Sequence, residues 1–166
     1  MNHIVISCIG ADQAGIVDTL SNVISEHQGN WQVSSLHHLS GFFAGVIEVA
    51  VSEKNTQALV SALNGIDSLN CQIEIAKPTA ENVNTNLVLE LTANDRAGIV
   101  QEISSVIHNQ GGNLIKLVSS QASAAHTGQL MFNAKVQIAM NETDVDELVS
   151  ALEHIADDLM VDITRA

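Results

Sequence analysis

The chain is poor in positive charge. Six lysines and arginines stand against nineteen aspartates and glutamates, a formal charge of −13. Binding a polyanion directly takes several phosphate contacts from clustered cations. Lys54, Lys77, Arg96, Lys116, Lys135 and Arg165 are scattered, so direct nucleic-acid binding is not expected, and any role in gene regulation would run through a protein partner. Aromatic residues are equally scarce: three Phe, one Trp and no Tyr. A core must therefore be aliphatic, and with 46% of residues hydrophobic the supply is ample. Only two cysteines, Cys8 and Cys71, are present. They fit reduced thiols better than a disulfide framework and read as small buried hydrophobes. No apolar run approaches the ~20 residues of a bilayer span. The first residues read as a strand, not as a basic segment before an apolar helix. A cytoplasmic protein without a membrane role is the expectation.

What is present is a repeat. Asp12-Gln13-Ala14-Gly15-Ile16-Val17 runs through Ser21, Val23 and Ile24 to Gly29-Asn30, and returns as Asp95-Arg96-Ala97-Gly98-Ile99-Val100, then Ser104, Val106, Ile107 and Gly112-Asn113. Each copy follows a strand-like run, His3–Ile9 or Asn86–Thr92. In the first run Ile4, Ile6 and Cys8 alternate with Val5, Ser7 and Ile9; in the second Leu87, Leu89 and Leu91 alternate with Val88, Glu90 and Thr92. One face is strongly apolar and the other more polar, as expected if helices cover one side only.

After the first turn, Ala14–Gln28 carries Ile16, Val17, Leu20, Val23 and Ile24 at helical spacing, about four turns, with Gly29 placed to stop it. Trp31–Leu39 and Phe42–Val51 read as a hairpin turning at Ser40-Gly41. Asn55–Asn64 is a second helix, with Leu59, Val60 and Leu63 on its apolar side, and Cys71–Ile75 a fourth strand. The order is β-α-β-β-α-β, the ferredoxin-like unit, whose core is expected to join Ile4, Ile6, Val17, Leu20, Ile24, Leu59 and Leu63.

The second copy has strands Leu114–Ala122, Leu130–Met140 and Met160–Ile163, with helices at about Ala97–Gln110 and Thr143–Ala156. Leu59-Val-Ser-Ala-Leu63 returns as Leu148-Val-Ser-Ala-Leu152. The second hairpin is longer, around Ser123–Gly128. The expected class is α+β: two such units in tandem, residues 1–77 and 86–166, each a four-stranded antiparallel sheet with two helices on one face. The polar stretch 78–85, led by the only proline, is the linker.

A helix that starts straight after a sharp turn presents unpaired N–H groups and a positive dipole end, which hold carboxylates and phosphates. Gly15 and Gly98 let a ligand approach the backbone. Asn30 and Asn113 offer donor and acceptor groups. Asp12 and Asp95 either cap the helix or face an ammonium group. These parts suit a zwitterion, yet each also has a plain structural use as cap, stop or turn. No GxxxxGK[ST] or GxGxxG phosphate loop occurs.

Seven histidines form no metal-binding spacing. The adjacent His37 and His38 point to opposite faces of a strand, while His27, His108 and His154 read as solvated residues at helix ends. No nucleophile with a recognisable base and no Gly-x-Ser-x-Gly elbow is present. Asp144, Asp146, Asp157 and Asp158 read as solvated acids. No catalytic residue, metal or cofactor is expected.

The repeated Asp-x-Ala-Gly-Ile-Val with Gly-Asn at the helix end, inside β-α-β-β-α-β, resembles the ACT domain, whose usual signature is Asp-Arg-Pro-Gly-Ile-Val. The resemblance covers essentially the whole chain as two tandem ACT domains and extends in layout to stand-alone double-ACT transcriptional regulators. It implies a small amino acid, glycine or serine, bound near Asp12, Ala14, Gly15, Ile16 and Asn30 or near Asp95, Ala97, Gly98, Ile99 and Asn113, at interfaces between paired domains. It also implies a protein partner such as a DNA-binding activator. Alanine stands for the usual proline in both copies, and Gln13 for the arginine in the first. A ligand-free interaction module and a regulatory subunit acting in trans on a metabolic enzyme are the alternatives. Open sheet faces and edge strands are natural pairing surfaces, so side-by-side pairing within or between chains, and a homodimer, are expected.

Overall fold

A computed structural model describes residues 1–76, 87–141 and 144–165. The expected linker 78–85 lies outside these, as do Asn86 and Thr143, where a strand and a helix were expected to start. The chain divides into two compact units, Met1–Glu81 and Asn82–Ala166. Unit 1 runs β1 (Asn2–Ala11), α1 (Ile16–Glu26), β2 (Asn30–Leu39), β3 (Phe42–Val51), α2 (Glu53–Asn64) and β4 (Asn70–Ala76). Unit 2 runs β5 (Leu87–Asn94), α3 (Ile99–Asn109), β6 (Asn113–Ser123), β7 (Leu130–Ala139), α4 (Val145–Glu153) and β8 (Met160–Arg165). Each unit is a four-stranded antiparallel sheet, ordered β2-β3-β1-β4 and β6-β7-β5-β8, with two helices on one face.

The period-two pattern of the central strands decides which face the helices cover. Ile4, Ile6 and Cys8 are buried while Val5, Ser7 and Ile9, which alternate with them, are exposed; Leu87, Leu89 and Leu91 are buried in the same way. Each first helix meets that face with one residue per turn: Ile16, Leu20 and Ile24 on α1, and Ile99, Ile103 and Ile107 on α3. Leu59 and Leu63 of α2, and Leu148 and Leu152 of α4, complete the two cores. Burying one such side chain fully contributes roughly 1.5–3 kcal/mol.

Val17, expected in the core, is 46% exposed. The helix begins only at Ile16, so the buried stripe is set by Ile16, and a residue one position on lies about 100° round the axis. The helix is correspondingly shorter than expected, eleven residues or three turns.

Gly29 closes the end of α1 as expected, though not as its left-handed residue. The left-handed residue after α1 is Gln28, at φ 57°, and its counterpart after α3 is Gly111, at φ 77°. Gly29 and Gly112 follow them and donate to the carbonyls of Ile24 and Ile107 at 2.8 and 2.9 Å, closing a Schellman-type end. Their missing side chains serve packing. A Cβ on Gly29 would lie 2.9 Å from Ile24 and 3.0 Å from Val49; one on Gly112 would lie 3.0 Å from Ile107 and 3.1 Å from Ile138.

The first hairpin turns through Ser40-Gly41, both with positive φ, as a two-residue hairpin turn requires. The second crosses from Ser123 to Leu130, closed by bonds from Ala124 N–H to the Gln129 carbonyl and from Gly128 N–H to the Ala124 carbonyl. The uncovered sheet faces differ. In unit 1 Val5, Ile9, Val33, Leu39, Phe42 and Val46 stand exposed, and His3 Nδ1 lies 2.6 Å from Glu48 on the same face. In unit 2 Thr92 donates to Asn133 and Lys135 lies 4.0 Å from Glu90. Among the described residues no helix is long and apolar enough to cross a membrane.

Truncating Leu20 to alanine is expected to cost about 3 kcal/mol of unfolding free energy, whereas Val17→Ala should change it by less than about 0.5 kcal/mol. Urea denaturation of the two variants checks the difference.

Candidate functional site

The chain leaves β1 at Ala11 and must turn at once onto α1. Asp12 N–H donates to the Gly41 carbonyl at 3.0 Å, tying the turn to the hairpin. Gly15 then takes φ 85° and serves as the N-cap, without any side-chain capping bond. Its carbonyl accepts the Thr19 N–H and hydroxyl at 2.9 and 3.0 Å. The N–H groups of Ile16, Val17 and Asp18 come before that first helical bond and have no intrahelical acceptor. Unit 2 repeats these features. Asp95 N–H donates to the Leu130 carbonyl at 2.9 Å, Gly98 is the N-cap at φ 85°, and Glu102 N–H donates to the Gly98 carbonyl at 3.1 Å.

Neither aspartate caps its helix. Asp12 is paired with His38 Nδ1 at 2.9 Å, and His38 meets Phe43 edge-on with centroids 5.8 Å apart. Asp95 accepts a short hydrogen bond from Gln121. His38 and Gln121 are equivalent, since each lies opposite the buried phenylalanine of its hairpin, Phe43 or Phe132. One acid is therefore matched with an imidazole and the other with an amide.

In unit 1 these groups line a recess of about 410 Å³ with Asp12, Gln13, Ala14, Gly15, Ile16, Val17, Asp18, His38 and Phe43 around it. It combines a free helix start, two carboxylates, an imidazole and an apolar wall. Asp18 adds negative charge to the first helical turn and accepts a bond from Asn22 at 3.2 Å. At the matching corner of unit 2, Arg96 forks over Glu102 with bonds of 2.9 and 2.5 Å. The guanidinium holds the Glu102 carboxyl below its ordinary range, and the carboxylate raises Arg96 above its own. The Asn94 N–H donates to Asp158 at 2.6 Å, so Asp158, expected to be simply solvated, ties the α4–β8 connection to the end of β5.

Of the site residues expected from sequence, Asp12, Ala14, Gly15 and Ile16 come together at one corner, with Ile16 facing the core. Asp95, Ala97, Gly98 and Ile99 occupy the equivalent corner of unit 2. Asn30 and Asn113 stand elsewhere. Asn30 starts β2 beyond the far end of α1, opposite Ala50, whereas Asp12 follows Ala11, whose partner is Phe42. The eleven-residue helix between the two places spans about 16 Å. His38, Phe43, Gln121 and Phe132 were not picked out from sequence. Counting strand parity back from the Ser40-Gly41 turn would have put His38 and Phe43 side by side beneath Asp12.

Residues 2–75 match the family model described as ACT domain. The first unit is an ACT domain, and the second repeats its topology, so the chain has a tandem ACT fold. Over its whole length the fold is similar to that of an unknown protein from Galdieria sulphuraria, with a TM-score of 0.82 and 22% identity, covering 100% of this chain and 99% of that one. It is also similar to a protein provisionally assigned as a glycine cleavage system transcriptional repressor, with a TM-score of 0.72 and 16% identity, covering 99% and 97% of the two chains. No curated protein matches the sequence significantly.

A Cβ added to Gly15 or Gly98 meets nothing within 4 Å, so the cost of alanine there is backbone strain alone. Gly15→Ala and Gly98→Ala are each expected to lose about 1 kcal/mol in chemical denaturation. The lowered carboxyl of Glu102 means that its pairing with Arg96 favours the folded state above the ordinary carboxylate range, and that this contribution fades as pH falls through the lowered value. NMR titration of the Glu102 carboxyl should show the lowered midpoint, and Arg96→Gln should return it upward.

Proposed function

We propose that the protein is a non-catalytic regulator that senses a small amino acid, glycine or serine, through its ACT domains and passes the signal to a protein partner. It would act in the manner of a glycine cleavage system transcriptional repressor, with a DNA-binding activator as the partner. The observation that carries this reading is the recess at the start of α1. There, residues whose N–H groups have no intrahelical acceptor line the same recess as the Asp12–His38 pair. A ligand carboxylate would sit on the helix end and its ammonium group on Asp12. Asn30 lies at the other end of α1, so a ligand touching both a helix start and a Gly-Asn segment would bridge two ACT domains. A homodimer would supply such pairs.

The acidity of the chain supports a protein partner in preference to nucleic acid. Ligand affinity is bounded by size. The smallest ligands reach roughly −1.5 kcal/mol per heavy atom, which for glycine gives about −7 kcal/mol and binding no tighter than micromolar. Binding would alter partner choice only if the ligand preferred one arrangement of the paired domains. One observation favours a second reading, a ligand-free interaction module: both acids, Asp12 and Asp95, already have side-chain partners.

Calorimetric titration with each amino acid separates the two. The sensing reading expects saturable binding of glycine or serine that Gly15→Val or Asp12→Asn abolishes while circular dichroism stays native. Flat titrations across all amino acids, with the fold intact, would leave the interaction module.

A further inference from the structure

Cys8 of β1 and Cys71 of β4 are direct partners in the antiparallel register. Opposed residues in such a ladder have Cα atoms about 5.5 or 4.5 Å apart, depending on their hydrogen bonding. A disulfide joins Cα atoms about 4.4–6.8 Å apart, so either spacing falls within the range a bridge spans. Both side chains lie on the helix-covered face: Cys8 is a core residue, and Cys71, partly exposed, packs against the same core. Both are free thiols.

Packing does not call for sulfur at this place. The neighbouring pairs on the same face are aliphatic, Ile6 with Ile73 and Ile4 with Ile75. The equivalent pair in unit 2 is Leu91 with Val161. The same fold is thus built in one copy with two hydrocarbons and in the other with two facing thiols.

We propose that Cys8 and Cys71 form a redox-modification site that a two-electron oxidant of the peroxide class closes into a cross-strand disulfide, pinning the edge strand β4 to the central strand β1. Cys71, the more exposed, is the point of entry. Its thiolate attacks one peroxide oxygen, the O–O bond breaks, hydroxide leaves and a sulfenic acid forms. The Cys8 thiolate then attacks the Cys71 sulfur, forming the S–S bond and expelling a second hydroxide. In sum two thiols give up two electrons and two protons, and hydrogen peroxide becomes two waters. Burial raises both thiols above their ordinary range, and Cys8 raises Cys71 further. Closure is therefore slow at neutral pH and faster as pH rises.

The test treats the full chain with hydrogen peroxide, alkylates it under denaturing conditions and maps the peptides by mass spectrometry. The expected result is loss of both free thiols, a mass lower by two hydrogens, one peptide linking Cys8 to Cys71, and a melting temperature raised by on the order of 10 °C that dithiothreitol reverses. Cys71→Val, which copies the second unit, should fold and leave Cys8 alkylatable after the same treatment. Two free thiols remaining after peroxide, sulfinic acid on Cys71 beside an intact Cys8, or cross-links only between chains would each overturn the proposal.

Discussion

Each half of the molecule depends on a reversal made in four residues. A strand at the centre of a sheet must hand over to a helix lying across that sheet, and the backbone manages this by passing through the left-handed region at Gly15 and Gly98. Any other residue would carry a Cβ into a conformation that costs L-amino acids roughly 1–2 kcal/mol. The anchoring bonds from Asp12 N–H to Gly41 and from Asp95 N–H to Leu130 hold the reversal against the hairpin. Once it is fixed, Ile16 and Ile99 point into the core and the following turns fall into register behind them. The unbonded helix start is a by-product of the same constraint, because a glycine N-cap has no side chain with which to satisfy it.

The two corners share a backbone and differ in chemistry. Unit 1 sets Asp12, paired with an imidazole, and Asp18, bonded by Asn22, near the helix start, whereas unit 2 brings in Arg96 and spends it on Glu102. The uncovered sheet faces diverge in the same way, with His3 paired to Glu48 in one copy and Thr92 bonded to Asn133 and Lys135 near Glu90 in the other. The two copies share the residues that make the turn and the apolar character of the core, and differ at positions that meet solvent.

Much of the fold could be read from local pattern. The strand β3, Phe42–Val51, was legible to the residue, its start marked by the Ser40-Gly41 turn. The alternation of Ile4, Ile6 and Cys8 named the buried face of β1. Helix starts were harder, because Ala14 and Gly15 continue an apparent helical pattern while the backbone is still turning. Val17 is apolar and adjacent to the stripe, and only the true starting residue shows that it points outward. Gly29 was read as a stop and does close the helix end, but the need for glycine there comes from Ile24 and from Val49, the second a contact that no local window contains. The partnership of Asp12 with His38 is likewise tertiary: it exists because a hairpin folds β2 back to the place where β1 ends.

The longer hairpin of unit 2 carries an implication for how such a protein diverges. Six residues separate β6 from β7 where two separate β2 from β3, yet the carbonyl that receives the aspartate N–H is supplied at the same place in both. The extra length is taken up entirely beyond that anchor. The tip can therefore be lengthened, shortened or rewritten without disturbing the turn below it, giving the second copy a region free to acquire recognition of its own while the corner beneath keeps its shape.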